Sequence, residues 1–217
     1  MKKKLTFICL LLFLLAFPTL SFASIFDRLF SSETSHSLTE KRLSEWRSLI
    51  ADSQNDSEWQ KLNRVNRFFN KVRYSADIEQ WGEVDYWATP TEFLTSNAGD
   101  CEDYAIAKFY TLIAMGINAD NLRLTHVTIT PSNQAHMVLL VKEEGSGALL
   151  TLDNRVNDIS AFGLQSDLTP VYSFNNANLW INHTKDQIEK VGSVSQIKKW
   201  TQLKQRRQLQ TDIIASL

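Results

Sequence analysis

The stretch AGDCEDYAIA at residues 98–107 determines the fold that we predict, because it places a cysteine where a turn enters a helix. Gly99 supplies the backbone freedom for the turn, and Asp100 belongs to the residue types that cap helix N-termini well. From residue 101 to residue 115 nearly every side chain is apolar, and a helix that is apolar on all sides is typically buried. The stretch therefore predicts a buried central helix that begins at Cys101.

The position of Cys101 suits a nucleophile. The N-terminus of a helix carries partial positive charge, which favours the thiolate over the thiol. A single helical cysteine is more often a small core residue. The helix-start position, the flanking carboxylates and the lack of another cysteine after residue 23 favour catalysis here. The sequence therefore predicts that Cys101 is reactive.

The first 23 residues have the three regions of a secretory signal peptide. Residues 2–4 are lysines, residues 5–15 are an apolar run, and Ser-Phe-Ala at 21–23 has the small–x–small form of a cleavage site. The apolar run is shorter than the roughly 20 residues that a membrane-spanning helix needs. We expect a signal peptide at 1–23 and an exported chain that does not span the membrane after cleavage.

The composition indicates one globular domain at residues 24–217. The sequence has six tryptophans and twelve phenylalanines, which can build a sizeable core, and only seven glycines and four prolines. A formal net charge of −1 gives no basic surplus for binding nucleic acid. One cysteine after residue 23 cannot form an internal disulfide, so its thiol is either reactive or intermolecular.

Hydrophobic periodicity predicts helices first and strands afterwards. Two amphipathic helices and an aromatic loop at 74–89 precede the cysteine helix, and a basic final helix is expected at 193–212, where we interpret the charges as a solvated face. Alternating segments follow the cysteine helix and predict an antiparallel sheet. This order is an α+β layout. The predicted strands lie at 122–130, 135–142, 148–153, 171–174 and 179–181.

Two strand residues are candidates to activate the thiol. A thiolate nucleophile needs a nearby base, and the base needs an acceptor that orients it. His136 begins the second strand and Asp153 ends the third, and antiparallel neighbours can bring these two together. His126 is the alternative base, although its place in the middle of a strand suits a core histidine. Spacing alone favours His136 only slightly.

Three carboxylates, Asp100, Glu102 and Asp103, surround Cys101 and predict a cation. They would repel one another and raise the pKa of the thiol. A cysteine enzyme gains nothing from this arrangement unless a cation lies among the carboxylates. Hard carboxylate oxygens favour calcium or magnesium over zinc, and calcium tolerates an irregular loop better. The loop around Asp85 could add ligands. The alternative is that the acids merely cap the helix.

An oxyanion donor is expected near the nucleophile. A backbone N–H at Cys101 points to the place where the tetrahedral oxygen would form, and Trp87 on the aromatic loop is a second candidate. Simple packing of Trp87 is an equally good interpretation of the sequence.

Four segments of the chain closely resemble the bacterial transglutaminase-like cysteine proteinases of the LapG type. The resemblance implies a papain/transglutaminase-like fold with a Cys101–His136–Asp153 triad. It also implies calcium dependence through acids that flank the cysteine, a role that it carries to Asp100, Glu102 and Asp103. The matching segments are WATP at 87–90, GDCEDYAIAK at 99–108, HMVL at 136–139 and LDN at 152–154.

The resemblance further implies a biological role. Such enzymes are periplasmic endoproteases that clip the N-terminal region of a large surface adhesin at adjacent alanines, which releases the adhesin and disperses biofilm. An inner-membrane receptor for cyclic di-GMP sequesters the protease. The residues alone leave three alternatives open, because the same triad serves a transglutaminase or a peptidoglycan amidase, and a catalytically silent binding module could keep the fold.

Overall fold

The computed structural model describes the backbone of residues 22–215 and the side chains of residues 35–210. The chain divides into two compact units, residues 1–40 and residues 41–217, and the described backbone of the first is helical. Residues 1–21 of the predicted signal peptide lie outside the described part, so the division at residue 23 stays a prediction. No helix in the described part is both long and apolar enough to cross a membrane.

The helices begin where the sequence offers caps. Ser57 closes a capping box with Gln60 at the start of the second helix, and Thr89 does the same with Glu92 at the fourth, where Pro90 takes the first helical position. The α-helices between residues 22 and 215 are α1 Phe22–Asp52, α2 Glu58–Phe69, α3 Asp77–Gln80, α4 Pro90–Ser96, α5 Cys101–Ala114 and α6 Lys198–Ala215.

The α+β prediction is confirmed, and all the strand pairs of the main sheet are antiparallel. Within the described backbone, its seven strands lie in the order β6-β5-β4-β3-β7-β8-β9, and β1 and β2 form a separate parallel pair. The strands are β1 Arg73–Tyr74, β2 Ala98–Gly99, β3 Leu122–Ile129, β4 Gln134–Lys142, β5 Leu149–Leu152, β6 Ser160–Ala161, β7 Leu168–Phe174, β8 Asn178–Asn182 and β9 Ile188–Ser193.

Helix α5 lies at the centre of the core, as its apolar sequence predicts. Ten consecutive residues from Asp103 to Leu112 are buried, and Gly116 follows with a φ of +89°, which ends the helix. One face of the sheet joins this core through alternate residues of β3 and β4, and the other face covers a smaller cluster around Phe162. The helix and sheet therefore bury each other.

Gly99 is required for a different reason from the one that the sequence suggested. It lies in the extended strand β2, where a Cβ would meet the ring of Phe93 at 2.8 Å and the carboxylate of Asp103 even more closely. The residue therefore allows close packing at the start of α5, whereas the sequence analysis assigned it to turn freedom. A side chain here would push apart the elements that hold Cys101.

Candidate active site

Cys101 is the first residue of α5 and lies against strand β4. Its Sγ is 3.1 Å from Glu102 Oε2, to which the thiol donates a hydrogen bond, and the backbone N–H of Met137 donates to the sulfur. Cys101 is half-buried, and among the described residues it is the free cysteine. The helix start and the adjacent strand thus hold the sulfur from two sides.

The local charges oppose formation of the thiolate. Burial raises the pKa of the Cys101 thiol well above its usual range, and the carboxylates of Glu102 and Asp100 raise it further. The Met137 N–H lowers this pKa, but it does not outweigh the other causes. Burial and the two acids together therefore favour the thiol of Cys101 over its thiolate.

His136 and Asp153 form a buried hydrogen-bonded pair. His136 Nε2 lies 3.0 Å from Asp153 Oδ1, and the two side chains are 5% and 0% exposed. His136 is next to Met137, whose backbone contacts the thiol, and Cys101 and His136 line the same cleft. The structure thus brings together the three residues that the sequence analysis selected as nucleophile, base and orienting acid.

Arg155 completes the surroundings of Asp153 and was missed in the sequence analysis. Its Nε donates to Asp153 Oδ2 over 2.9 Å, its backbone N–H donates to Oδ1 over 2.9 Å, and it also pairs with Asp167. Burial acts to raise the pKa of Asp153, but the hydrogen bonds from His136 and Arg155 hold that pKa well below its usual range. A charged side chain two residues after Asp153 was the available signal.

His126 also lines the cleft, so the view of it as a core histidine is only partly right. It is half-buried, and its ring stacks on Tyr172 with centroids 5.1 Å apart and an interplanar angle of 7°. Burial and the neighbouring His136 lower its pKa. His136 has a carboxylate partner, whereas Nδ1 of His126 is buried without a hydrogen-bond partner in the described part of the chain.

Among the described residues, five carboxylates form a cluster at the start of α5: the three predicted ligands together with Asp77 and Asp85. Their oxygens form close groups of three: Asp77 with Asp100 and Asp103, and Asp77 with Asp85 and Glu102. Asp77 was missed because it is brought in by the parallel pairing of β1 with β2, where Tyr74 lies opposite Gly99. These oxygens could hold a metal ion.

The acid cluster is poorly compensated by protein groups. Burial raises the pKa of Asp100 to about 8 and that of Asp77 to about 6, and repulsion from neighbouring carboxylates contributes to both. One oxygen of each, Oδ1, is buried without a hydrogen-bond donor among the described residues. Asp103 differs, because its two oxygens accept the backbone N–H groups of Ala88 and Asp100.

Trp87 is a buried wall of the cleft. Its indole Nε1 donates to Asp85 Oδ1 over 2.9 Å, and its ring stacks on Phe174 with centroids 5.6 Å apart. Its side chain therefore connects the aromatic loop both to the acid cluster and to the core. The cleft has a volume of about 350 Å³, and the exposed residues Tyr74 and Val84 also line it.

The basic face of α6 is not simply solvated, contrary to the sequence-based expectation. Lys199 contacts the backbone carbonyl of Asp85 and lies 3.4 Å from its carboxylate. Arg206 donates to the carbonyl of Trp87 and lies 3.6 Å from Glu92. These cations hold the aromatic loop against α6.

Comparison with known proteins identifies the family. Residues 45–187 match the family model described as bacterial transglutaminase-like cysteine proteinase BTLCP. EGTA-treated LapG of Legionella pneumophila is 36% identical with a TM-score of 0.70, and the match covers 80% of this chain and 94% of that one. Calcium-bound LapG is 36% identical with a TM-score of 0.69, over 81% and 96% of the two chains.

No curated protein sequence matches the chain. The family match nevertheless covers more than half of it, and the LapG structures share its fold at well over 25% identity. The chain therefore belongs to the bacterial transglutaminase-like cysteine proteinases and is of the LapG type.

Proposed function

We propose that this chain is a calcium-dependent cysteine endoprotease with Cys101 as nucleophile, His136 as base and Asp153 as the acid that orients the base. The buried His136–Asp153 hydrogen bond beside the cleft that Cys101 lines carries the proposal. Asp153 holds the imidazole through Nε2, which leaves Nδ1 to accept the thiol proton. Arg155 keeps Asp153 ionised, so that it can stabilise the imidazolium.

The reaction that follows is ordinary acyl transfer to sulfur. His136 takes the proton of Cys101 while Sγ forms a bond to the scissile carbonyl carbon. The C–N bond then breaks and the leaving amine takes the proton from His136. Water, deprotonated by His136, hydrolyses the thioester and restores the thiol. The backbone N–H of Cys101, at the first position of α5, has no intrahelical partner and is suited to the developing oxyanion.

The acid cluster fits a calcium ion. Calcium binds carboxylate oxygens in irregular loops, and two buried oxygens here, Asp77 Oδ1 and Asp100 Oδ1, lack donors among the described residues. We assign Asp100, Glu102 and Asp103 to the site, as the sequence analysis expected, and add Asp77. Bound calcium supplies positive charge that offsets the carboxylates beside Cys101 and lowers the cost of forming its thiolate.

Trp87 is proposed as an oxyanion donor, a role that requires its single indole N–H to turn from Asp85 Oδ1 to the substrate, and Trp87→Phe tests it. We expect the variant to lower kcat by about a hundredfold, because it removes the indole N–H and keeps the aromatic packing on Phe174. The measurement is kcat at saturating calcium, together with the melting temperature. If the variant keeps the full kcat at saturating calcium but needs more calcium to reach it, the role of Trp87 is instead to orient Asp85 in the acid cluster.

The proposed substrate is the N-terminal region of a large surface adhesin, cut at adjacent alanines in the periplasm so that the adhesin is released and biofilm disperses. Membership of the LapG type and the signal-peptide pattern at residues 1–23 support this. Incubating the protein with surface-protein extracts and sequencing the new N-termini tests it. New N-termini at sites with adjacent alanines are expected. Cross-linked products or released muropeptides without new protein N-termini would contradict it and indicate the transglutaminase or the amidase.

Control by a protein partner is also proposed, namely sequestration by an inner-membrane receptor for cyclic di-GMP. The family resemblance and the exposed apolar residues near the cleft, Tyr74 at 56% and Val84 at 90% exposed, support it. We expect a pull-down from membranes to recover a receptor when cyclic di-GMP is present and to lose it when the nucleotide is removed. Failure to recover any stable partner under both conditions would contradict this proposal.

A further inference from the structure

Two asparagines, Asn66 in α2 and Asn70 at the C-cap of that helix, hold the backbone around Asp153. Asn66 Nδ2 donates to the carbonyls of Val156 and Asn157 at 3.2 and 3.0 Å. Asn70, one turn later, donates from Nδ2 to the carbonyls of Asp153 and Val156 at 3.0 and 2.9 Å. It also contacts Asn157 Oδ1 at 3.2 Å. These hydrogen bonds thus anchor residues 153–157, a segment without regular secondary structure, to α2.

Lys108 fixes the orientation of the Asn66 amide. It lies on α5, two turns after Cys101, with 0% of its surface exposed, and its Nζ donates to Asn66 Oδ1 over 2.7 Å. Because the ammonium occupies the amide oxygen, Asn66 must direct its Nδ2 towards the carbonyls. Burial lowers the pKa of Lys108 to about 7. Both of its protonation states retain an N–H for this bond.

A buried lysine is costly, and catalysis offers a reason for it here. The free energy of burying an amine exceeds what one neutral hydrogen bond returns, so a well-packed methionine would serve stability at least as well. Lys108 and the proposed nucleophile, however, lie on the same rigid helix. A path of hydrogen bonds therefore runs from α5 through Lys108 and Asn66 to the residues that follow Asp153.

We propose that Lys108, Asn66 and Asn70 are positioning residues, which set Asp153, and through it His136, at the correct place relative to Cys101. The inference rests on the proposed function of the triad. Arg155 fixes the carboxylate of Asp153, while the three residues fix its backbone from the helical side. Displacing a catalytic group by about 1 Å can cost about a hundredfold in rate.

The test measures the reactivity of the thiol, which requires no knowledge of the natural substrate. The rate of Cys101 alkylation by iodoacetamide is followed in excess calcium, and peptide mass spectrometry separates Cys101 from Cys9. We expect Lys108→Met, which keeps the length of the side chain, to slow alkylation about tenfold. Asn70→Ala should slow it similarly and serves as the second variant if Lys108→Met does not fold.

A double-mutant cycle separates positioning from general stability. In an Asp153→Asn background, Lys108→Met should slow alkylation by less than about twofold, because the group that it positions is already gone. Asn175→Ala is the matched control, since Asn175 is a buried asparagine that accepts N–H groups of Ala177 and Asn178 away from this segment. It should lower the melting temperature and leave the alkylation rate unchanged.

The outcomes distinguish the inference from the function on which it rests. If Cys101 is alkylated at the wild-type rate in Lys108→Met and in Asn70→Ala but slowly in Asp153→Asn, the inference is overturned and the proposed triad stands. Equal slowing by Lys108→Met in both backgrounds would also overturn it. An Asp153→Asn variant that alkylates at the wild-type rate would overturn the proposed triad and the inference together.

Discussion

Cys101→Ala should lower the rate of peptide cleavage by about 10⁴-fold or more, because it removes the thiol that forms the thioester. His136→Ala should cost a similar factor, since it removes the base and leaves the thiol protonated among carboxylates that already raise its pKa. Asp153→Asn should leave measurable activity, because the imidazole remains but loses its orientation and its stabilising charge. The measurement is the rate at which new N-termini appear on a substrate protein.

The matched control for these variants is His126→Ala. It removes the second imidazole of the same cleft, together with its stacking on Tyr172, and leaves the His136–Asp153 pair in place. We expect most of the cleavage rate to remain. Substantial cleavage by Cys101→Ala would show that the assignment of the nucleophile is wrong. Loss of cleavage in His126→Ala, with His136→Ala still active, would show that the assignment of the base is wrong. Melting curves of all four variants exclude loss of the fold.

Chelation by EGTA should abolish cleavage and lower the melting temperature, and added calcium should restore both. A ligand that binds only the folded state stabilises it by about 2.7 kcal/mol when its free concentration is a hundredfold above Kd. For a chain of this size that corresponds to a shift of about 5–10 °C. Activity is lost because, without the cation, burial and the carboxyl groups of Glu102 and Asp100 hold the pKa of the thiol well above its usual range.

Variants of the acid cluster identify the ligands. Asp100→Ala and Asp77→Asn should each raise the calcium concentration needed for half-maximal activity, since both have a buried oxygen without a donor among the described residues. Asp120→Asn, in a short 3₁₀ helix outside the cluster, is the control and should change nothing. Full activity in a metal-stripped sample with EGTA would contradict calcium dependence, and normal activity of Asp100→Ala would remove that residue from the site.

Local sequence patterns predicted the elements that carry the proposed nucleophile. The apolar run after residue 101 produced a buried helix that begins at Cys101, because a helix without a polar face has to be covered on all sides. Alternation predicted β3, β4 and β5, the strands beside His136 and Asp153, since side chains of a strand alternate between its faces. The two-residue strands β1, β2 and β6 and the edge strand β9 were missed.

Contacts between segments that are distant in the sequence complete the acid cluster and position the aromatic loop. Asp77 reaches the acid cluster because β1 pairs in parallel with β2, and two-residue strands leave almost no pattern in a sequence. The insertion of β7 beside β3 and the contacts of α6 with the aromatic loop likewise join segments that are distant along the chain. Propensity and periodicity act over a few residues, whereas these contacts depend on which buried surfaces fit each other.

The sequence by itself therefore determined the fold class and the helix-start position of Cys101, and with the family resemblance it predicted His136 and Asp153 as partners of that cysteine. Only the tertiary structure decided how Asp153 is held, through Arg155 and through the path from Lys108 to Asn66. The physical reason is that a buried polar group needs a partner in space, and that partner can come from any element that the packing brings within hydrogen-bond distance.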